Sequence, residues 1–243
     1  MNGVRVILVQ PSHPGNIGAA ARAMKVMGLR ELYLVKPKQF PHESAIRMAA
    51  GADDILQQAV VVDSLQEALK GVVLAFATSA RDRHLAWPTC DPKQCATQTL
   101  EVSPSQVAWV FGREHAGLTN DELALCQQQV HIATDASFSS LNLAAAVQVL
   151  CYELKAQQVT REPSINGKQA VPSDPNDVSA TADEVHHFLD YLEQLLIKVE
   201  VLDPNHPKML MRRLHRLFAR SQLKKNEINI LRGIFKALEN NRS

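Results

Sequence analysis

Residues 4–35, VRVILVQPSHPGNIGAAARAMKVMGLRELYLV, decide the fold. The run VRVILV at 4–9 is short and apolar, the signature of a strand buried by neighbours on both faces. Pro11 to Gly15 makes a turn. Asn16 is expected to cap a helix that runs through alanine-rich sequence to Gly28, a natural C-terminal stop. Strand character returns at ELYLV, 31–35.

The same alternation continues outward. A helical stretch at 44–50 precedes a strand at 59–62, and Ser64 with Glu67 forms a capping box for a helix ended by Gly71. A strand at 72–77 leads into a polar loop from Thr78 to Cys90. Further strands are expected at 106–111 and 129–133, separated by a Thr119/Glu122 capping box, and a long helix at about 140–157. Short apolar strands alternating with helices imply an α/β fold, a mostly parallel sheet covered on both faces. Residues 158–182 are polar, carry three prolines and lack periodicity, as a linker does. Beyond them, 183–243 reads as three amphipathic helices, a small all-α extension. The first begins at a Thr181/Glu184 capping box, and the domain reading is thus 1–157, 158–182 and 183–243.

At 243 residues with 46% hydrophobic and 21% charged residues, the chain has the composition of a soluble protein with a sizeable core. No apolar run approaches the ~20 residues of a membrane span, and no basic leader precedes the first strand. Cys90, Cys95, Cys126 and Cys151 lack metal-ligand spacing, which favours reduced thiols in a cytoplasmic protein without a metal site. The net charge of +1 hides an asymmetry. Residues 205–243 hold ten Lys/Arg against two Asp/Glu, whereas 183–204 hold one Lys against six Asp/Glu. A basic tail suggests a polyanionic partner, and mutual neutralisation of the two stretches is the alternative.

Three segments carry the chemistry. The first is Asn16-Ile17-Gly18-Ala19-Ala20-Ala21-Arg22-Ala23. It lacks the three-glycine spacing of a dinucleotide fingerprint, and the strand 31–35 ends Val35-Lys36-Pro37 with no acidic residue for a ribose, so a dehydrogenase is disfavoured. Arg22, a fixed planar cation near the loop, suits a phosphodiester. The second segment, Val110-Phe111-Gly112-Arg113-Glu114 with Gly117-Leu118, turns sharply after a strand, and Arg113 with Glu114 could be a mere surface ion pair. In the third, Phe138-Ser139-Ser140-Leu141-Asn142-Leu143, Ser139 and Ser140 read as helix caps whose neighbouring amides receive polar groups.

Together, in this order, the segments resemble the SPOUT family of RNA methyltransferases, most closely its TrmJ-type bacterial tRNA 2'-O-methyltransferases. The resemblance implies a C-terminal trefoil knot, S-adenosylmethionine as cofactor, and methylation of the ribose at nucleotide 32 of the tRNA anticodon loop. It implies Arg22, Ser140 and Asn142 as catalytic residues. Thr78, Ser79, Ala80, Gly112, Ile132, Ser139, Ser140 and Leu141 would bind the cofactor. Arg83 and Glu114, with Arg212, Arg213 and Arg216 of the tail, would face RNA. A homodimer, with Arg22 reaching toward the partner's cofactor, completes the picture. A ribosomal RNA 2'-O-methyltransferase and a non-catalytic RNA-binding module on the same fold are the rivals.

Overall fold

The computed structural model describes residues 3–79, 87–102, 106–161, 178–204 and 209–240. The expected sites Ala80 and Arg83 and most of the linker fall outside them. Seven strands form one sheet: β1 (Val4–Val9), β2 (Glu31–Val35), β3 (Val60–Val62), β4 (Leu74–Thr78), β5 (Thr89–Cys90), β6 (Val107–Phe111) and β7 (Gln128–Val130). Their order is β3-β2-β1-β6-β4-β7-β5 and every pairing is parallel.

Strand alternation divides the core. Val4, Val6, Leu8, Leu32, Leu34, Phe76 and Trp109 face one side. There they meet α1 (Pro14–Val26), α2 (Glu43–Ala49), α3 (Asp53–Gln57), α5 (Pro92–Glu101) and α7 (Leu143–Arg161). Ile7, Val9, Ala75, Ala77, Ala108 and Val110 face the other, against α4 (Leu65–Ala68) and α6 (Asn120–Ala124). Both faces of the central strands are therefore dry, which is why these strands read as nearly continuous apolar runs; at the edge, Val60 and Val61 of β3 are exposed.

Several boundaries differ from the sequence reading. Helix α1 starts at Pro14 behind an extended His13, so Asn16 lies inside its first turn and is no cap. Proline serves there because a first-turn N–H has no helical partner to lose. Helix α7 starts at Leu143, three residues later than expected, and its cap is Asn142: Oδ1 accepts from the N–H of Ala144 at 2.9 Å. Ser139 and Ser140 precede that cap. Ser64 does cap α4 through the Glu67 N–H, but the Glu67 carboxylate accepts from Asp63 rather than closing a box. The boxes at Thr119/Glu122 and Thr181/Glu184 are both complete. Helix α5 lies between the polar loop and the strand at 106–111, where the sequence reading marked no element; it is capped by Asp91 and buries Cys95, Ala96 and Thr99.

Gly18 is a packing residue. A Cβ there would stand 2.0 Å from the carbonyl oxygen of Ala45, so only glycine lets α1 and α2 approach this closely.

The tail folds as α8 (Ala182–Lys198), α9 (Leu210–Ser221) and α10 (Lys225–Asn240) around Phe188. Its ring meets Phe218 edge-on at 5.1 Å and stacks on Phe235 at 6.2 Å. Ala182 N–H donates to Val72 at 2.6 Å and Asp183 accepts from Gly71 N–H at 3.1 Å, seating this bundle beside α4.

Candidate active site

The chain runs β1 to β3 toward one edge of the sheet, then crosses back to place β4 and β6 on the other side of β1. The carboxyl ends of strands beside such a reversal leave a crevice for ligands. In this chain the crevice is a cavity of about 300 Å³. Thr78, Ser79, Gly112, Ile132, Ser139, Ser140 and Leu141 all line it, joined by Phe111, Glu114, Thr134 and Leu143. The structure thus gathers seven of the eight expected cofactor residues into one wall, and the eighth is Ala80.

The segments meet through hydrogen bonds between side chains distant in sequence. Glu114 accepts from Ser12 N–H (3.0 Å), Ser12 Oγ (2.7 Å), His13 N–H (3.2 Å) and Asn16 Nδ2 (3.0 Å). Asn16 in turn accepts from Asn142 Nδ2 at 3.0 Å. One residue from each segment, Glu114, Asn16 and Asn142, therefore forms a single chain of bonds. Burial pushes the Glu114 carboxyl up, but bonds from Asn16 and Ser12 outweigh it and hold it down at about 2. The carboxylate stays ionised and fully engaged with the loop before α1. Its observed partners are all in the protein.

Gly112 closes the second segment. A Cβ on it would lie 2.3 Å from the backbone of Gly117, against which residues 113–117 fold back through an antiparallel bridge. Gly117 itself sits at φ +66°, a conformation that favours glycine. Arg113 does not pair with Glu114. Its guanidinium grips Glu122 of α6 with two bonds of 2.9 Å and reaches Gln10 at 2.9 Å. Burial pushes Glu122 up, but this pairing overrides it and keeps the carboxylate below its ordinary range. Arg113 therefore braces the loop from behind.

Arg22 is exposed on α1, lies outside the cavity wall, and bonds to no described residue. Ser139 and Ser140 are exposed at the cavity mouth; Thr134 Oγ1 donates to the Ser139 carbonyl at 3.3 Å. The sequence reading missed Ser12 and Asn16 as the residues that hold Glu114. The only sequence signal was a Pro-Ser-His-Pro turn between a buried strand and a helix. Thr78 is fixed by its hydroxyl, which donates to Val110 O at 3.1 Å. All four cysteines are buried and none forms a disulfide. Burial raises the Cys151 thiol to about 12. Among the described residues no His, Cys, Asp or Glu cluster of metal-binding size is present.

The basic tail divides on folding. Lys225 pairs with Glu184 at 2.8 Å and Lys198 with Glu239 at 2.5 Å, so α10 and α8 partly neutralise one another. The α9 arginines behave differently. Among the described residues Arg212 meets the Asp121 carboxylate at 4.0 Å and Met209 Sδ at 3.9 Å, and Arg213, Arg216 and Arg220 form no ion pair.

A family model described as the SpoU rRNA methylase family matches residues 3–152. A second, described as the tRNA methyltransferase TrmJ C-terminal domain, matches residues 183–243. The chain is 52% identical over 238 residues to the tRNA (cytidine/uridine/adenosine-2'-O-)-methyltransferase TrmJ of Pseudomonas aeruginosa, covering 96% of this chain and 93% of that protein. It is 43% identical to the tRNA (cytidine/uridine-2'-O-)-methyltransferase TrmJ of Cronobacter sakazakii, over 100% of this chain and 98% of the relative. The crystal structure of TrmJ from Z. mobilis superposes with a TM-score of 0.83 at 33% identity, covering 97% of this chain and 98% of the other.

Proposed function

Since the chain belongs to the SpoU methylase family, in the branch that carries the TrmJ C-terminal domain, we propose that it is an S-adenosylmethionine-dependent 2'-O-methyltransferase of tRNA, acting at nucleotide 32 of the anticodon loop. The observation that carries this reading is the cavity at the carboxyl ends of β4, β6 and β7, walled by the residues the resemblance assigns to the cofactor. Its lining suits that molecule: Ile132 and Leu141 offer an apolar surface to a flat ring, while Thr78, Ser139 and Ser140 supply hydroxyls.

The bound cofactor supplies an electrophilic methyl group, so the protein's task is to position the ribose hydroxyl and assist loss of its proton. Arg22 holds the adjacent phosphate and stabilises negative charge as it develops on the ribose oxygen; an arginine is always protonated and is not the base. Ser140, at the cavity mouth, orients the hydroxyl. Asn142 acts one step removed, because it caps α7 and is bonded to Asn16. Glu114 is a poor proton acceptor at a value of about 2, and the proton leaves through phosphate or water.

Arg22 stands away from the cavity of its own chain, which supports a homodimer in which it serves the partner's site. Exposed Val26 on α1 and exposed Tyr152 and Val159 on α7 supply apolar area for such a contact. The knotted domain runs through α7, which ends at Arg161 rather than at the expected 157, and the helical extension, from α8, holds RNA. The match of the TrmJ C-terminal domain model favours tRNA over a ribosomal substrate.

The test is methyl transfer to bulk tRNA, with the 2'-O-methyl position mapped. Wild-type protein should modify nucleotide 32 without added metal, and Arg22→Ala should lose on the order of 10²–10³ in turnover with cofactor affinity retained. Cofactor binding without transfer to any RNA would establish the silent module instead.

A further inference from the structure

Trp87 and α9 enclose a groove that the cofactor cavity does not include. It holds about 230 Å³ and is walled by Trp87, Pro88 and Gln128 on one side and by Arg216 and Arg220 on the other. The indole N–H donates to the Cys126 carbonyl at 3.0 Å, and the Trp87 carbonyl accepts from Thr89 Oγ1 at 2.9 Å. The ring is therefore fixed, half-buried, and with its only polar atom spent its remaining exposed surface is apolar. Arg216 and Arg220 stand four residues apart on one helix face. Arg216 Nε is buried with no partner among the described residues, a costly state for a donor.

We propose that this groove is a second RNA contact, in which an unpaired base stacks on Trp87 while Arg216 and Arg220 hold the neighbouring phosphates. The chemistry matches single-stranded nucleic acid: a rigid aromatic platform serves any base, and guanidinium forks grip phosphate. Position supports it as well. Gln128 lines the groove and Val130 lines the cofactor cavity, so two residues of β7, roughly 7 Å, separate the two sites. One RNA chain can engage both. The proposal rests on the tRNA methyltransferase reading, and it adds a base-stacking anchor beside the reacting site.

The chain has two tryptophans, and Trp109 is fully buried, so ligand-induced change in emission reports on Trp87. tRNA added to the full-length protein should quench that emission, whereas heparin, a polyanion without bases, should not. Trp87→Leu should abolish the quench and weaken tRNA binding by roughly 5- to 100-fold with cofactor affinity unchanged. The Arg216→Gln/Arg220→Gln double variant keeps the tryptophan and the buried core. It should weaken binding and lower the slope of log affinity against log salt by roughly 0.7–0.9 per lost phosphate contact. Normal tRNA affinity in both variants, or equal quenching by heparin, overturns the groove while leaving the methyltransferase reading intact. Failure of the wild-type protein to bind or methylate any tRNA overturns both.

Discussion

The side-chain amide of Asn142 donates to Oδ1 of Asn16 at 3.0 Å, joining residues 126 positions apart. Asn142 also caps α7, and Asn16 also donates to Glu114. The start of α7, the start of α1 and the loop after β6 are thereby placed relative to one another by two amides and one carboxylate. Each of those segments contributes to the proposed site, Arg22 from α1, Glu114 from the loop, Ser140 just ahead of α7. Displacing any member of the chain displaces the others.

Asn142→Ala should lose the cap and the bond to Asn16 together, costing about 1 kcal/mol through the cap alone. Asn16→Ala removes the same inter-segment bond from its other end. Denaturation of both single variants and the double should give a coupling energy of about 0.5–3 kcal/mol. Strict additivity would mean that the two amides act independently and that the segments are held elsewhere.

Glu114 gives the loop a pH dependence. Its folded carboxyl is depressed to about 2 from an ordinary 4.5. A depressed carboxylate contributes stability that is present above the unfolded value and lost as pH falls through the folded one. Wild-type protein should therefore weaken progressively from about pH 4.5 toward pH 2. Glu114→Gln, which cannot be charged, should be less stable than wild type at pH 7, and the gap should narrow over that acid range. Solvent reaches part of this carboxylate, so the gap belongs at the lower end of the 1.5–3 kcal/mol range for charged hydrogen bonds, about 1.5 kcal/mol. Urea melts at several pH values measure it.

Six of the seven strands were legible, because burial leaves apolar runs, with β7 three residues long and ending at Val130; the two-residue β5 (Thr89–Cys90) fell in the stretch read as a polar loop. Helix α5 was not, since its buried face is Cys95, Ala96 and Thr99, too small and too polar to mark a periodicity. Caps were misplaced for a more general reason. Asn16, Ser139 and Ser140 have the right chemistry for capping, but Asn16 is spent on Glu114, 98 residues away. Local patterns carry local bonds, and the bonds that assemble the site are not local. The gathering of the cavity wall was accessible only through family resemblance.

Gly18 separates a packing role from a ligand role. A methyl group at this position would meet the Ala45 carbonyl at 2.0 Å and the Ala49 nitrogen at 2.9 Å, both backbone atoms that cannot step aside. Gly18→Ala should cost about 1–3 kcal/mol as α1 and α2 are forced apart. Gly15 is the internal control, because a Cβ there would make an ordinary 3.5 Å contact with the Met48 side chain. Thermal melts should show a clear loss for Gly18→Ala and little for Gly15→Ala; equal melting temperatures would refute the packing role.

His215 of α9 titrates at the seam between the helical extension and the catalytic domain. Burial pushes its imidazole below the ordinary value, His186 of α8 reinforces that direction, and Asp190, the backbone of Ala124 and Asp121 of α6 oppose it. The net effect favours the neutral ring in the docked arm. For a histidine with a depressed folded value, the undocked or unfolded chain takes up a proton first as pH falls below about 6.5. The docked state is then penalised, so attachment of α9 should be firm at pH 7.5 and weaken toward pH 5.5. Hydrogen exchange of α9 amides should rise over that interval while amides of β1 and β6, at the centre of the sheet, stay protected. His215→Gln cannot gain a charge and should flatten the dependence. A parallel rise in the sheet would assign the acid sensitivity to global unfolding, and an unchanged profile in His215→Gln would remove this residue as its cause.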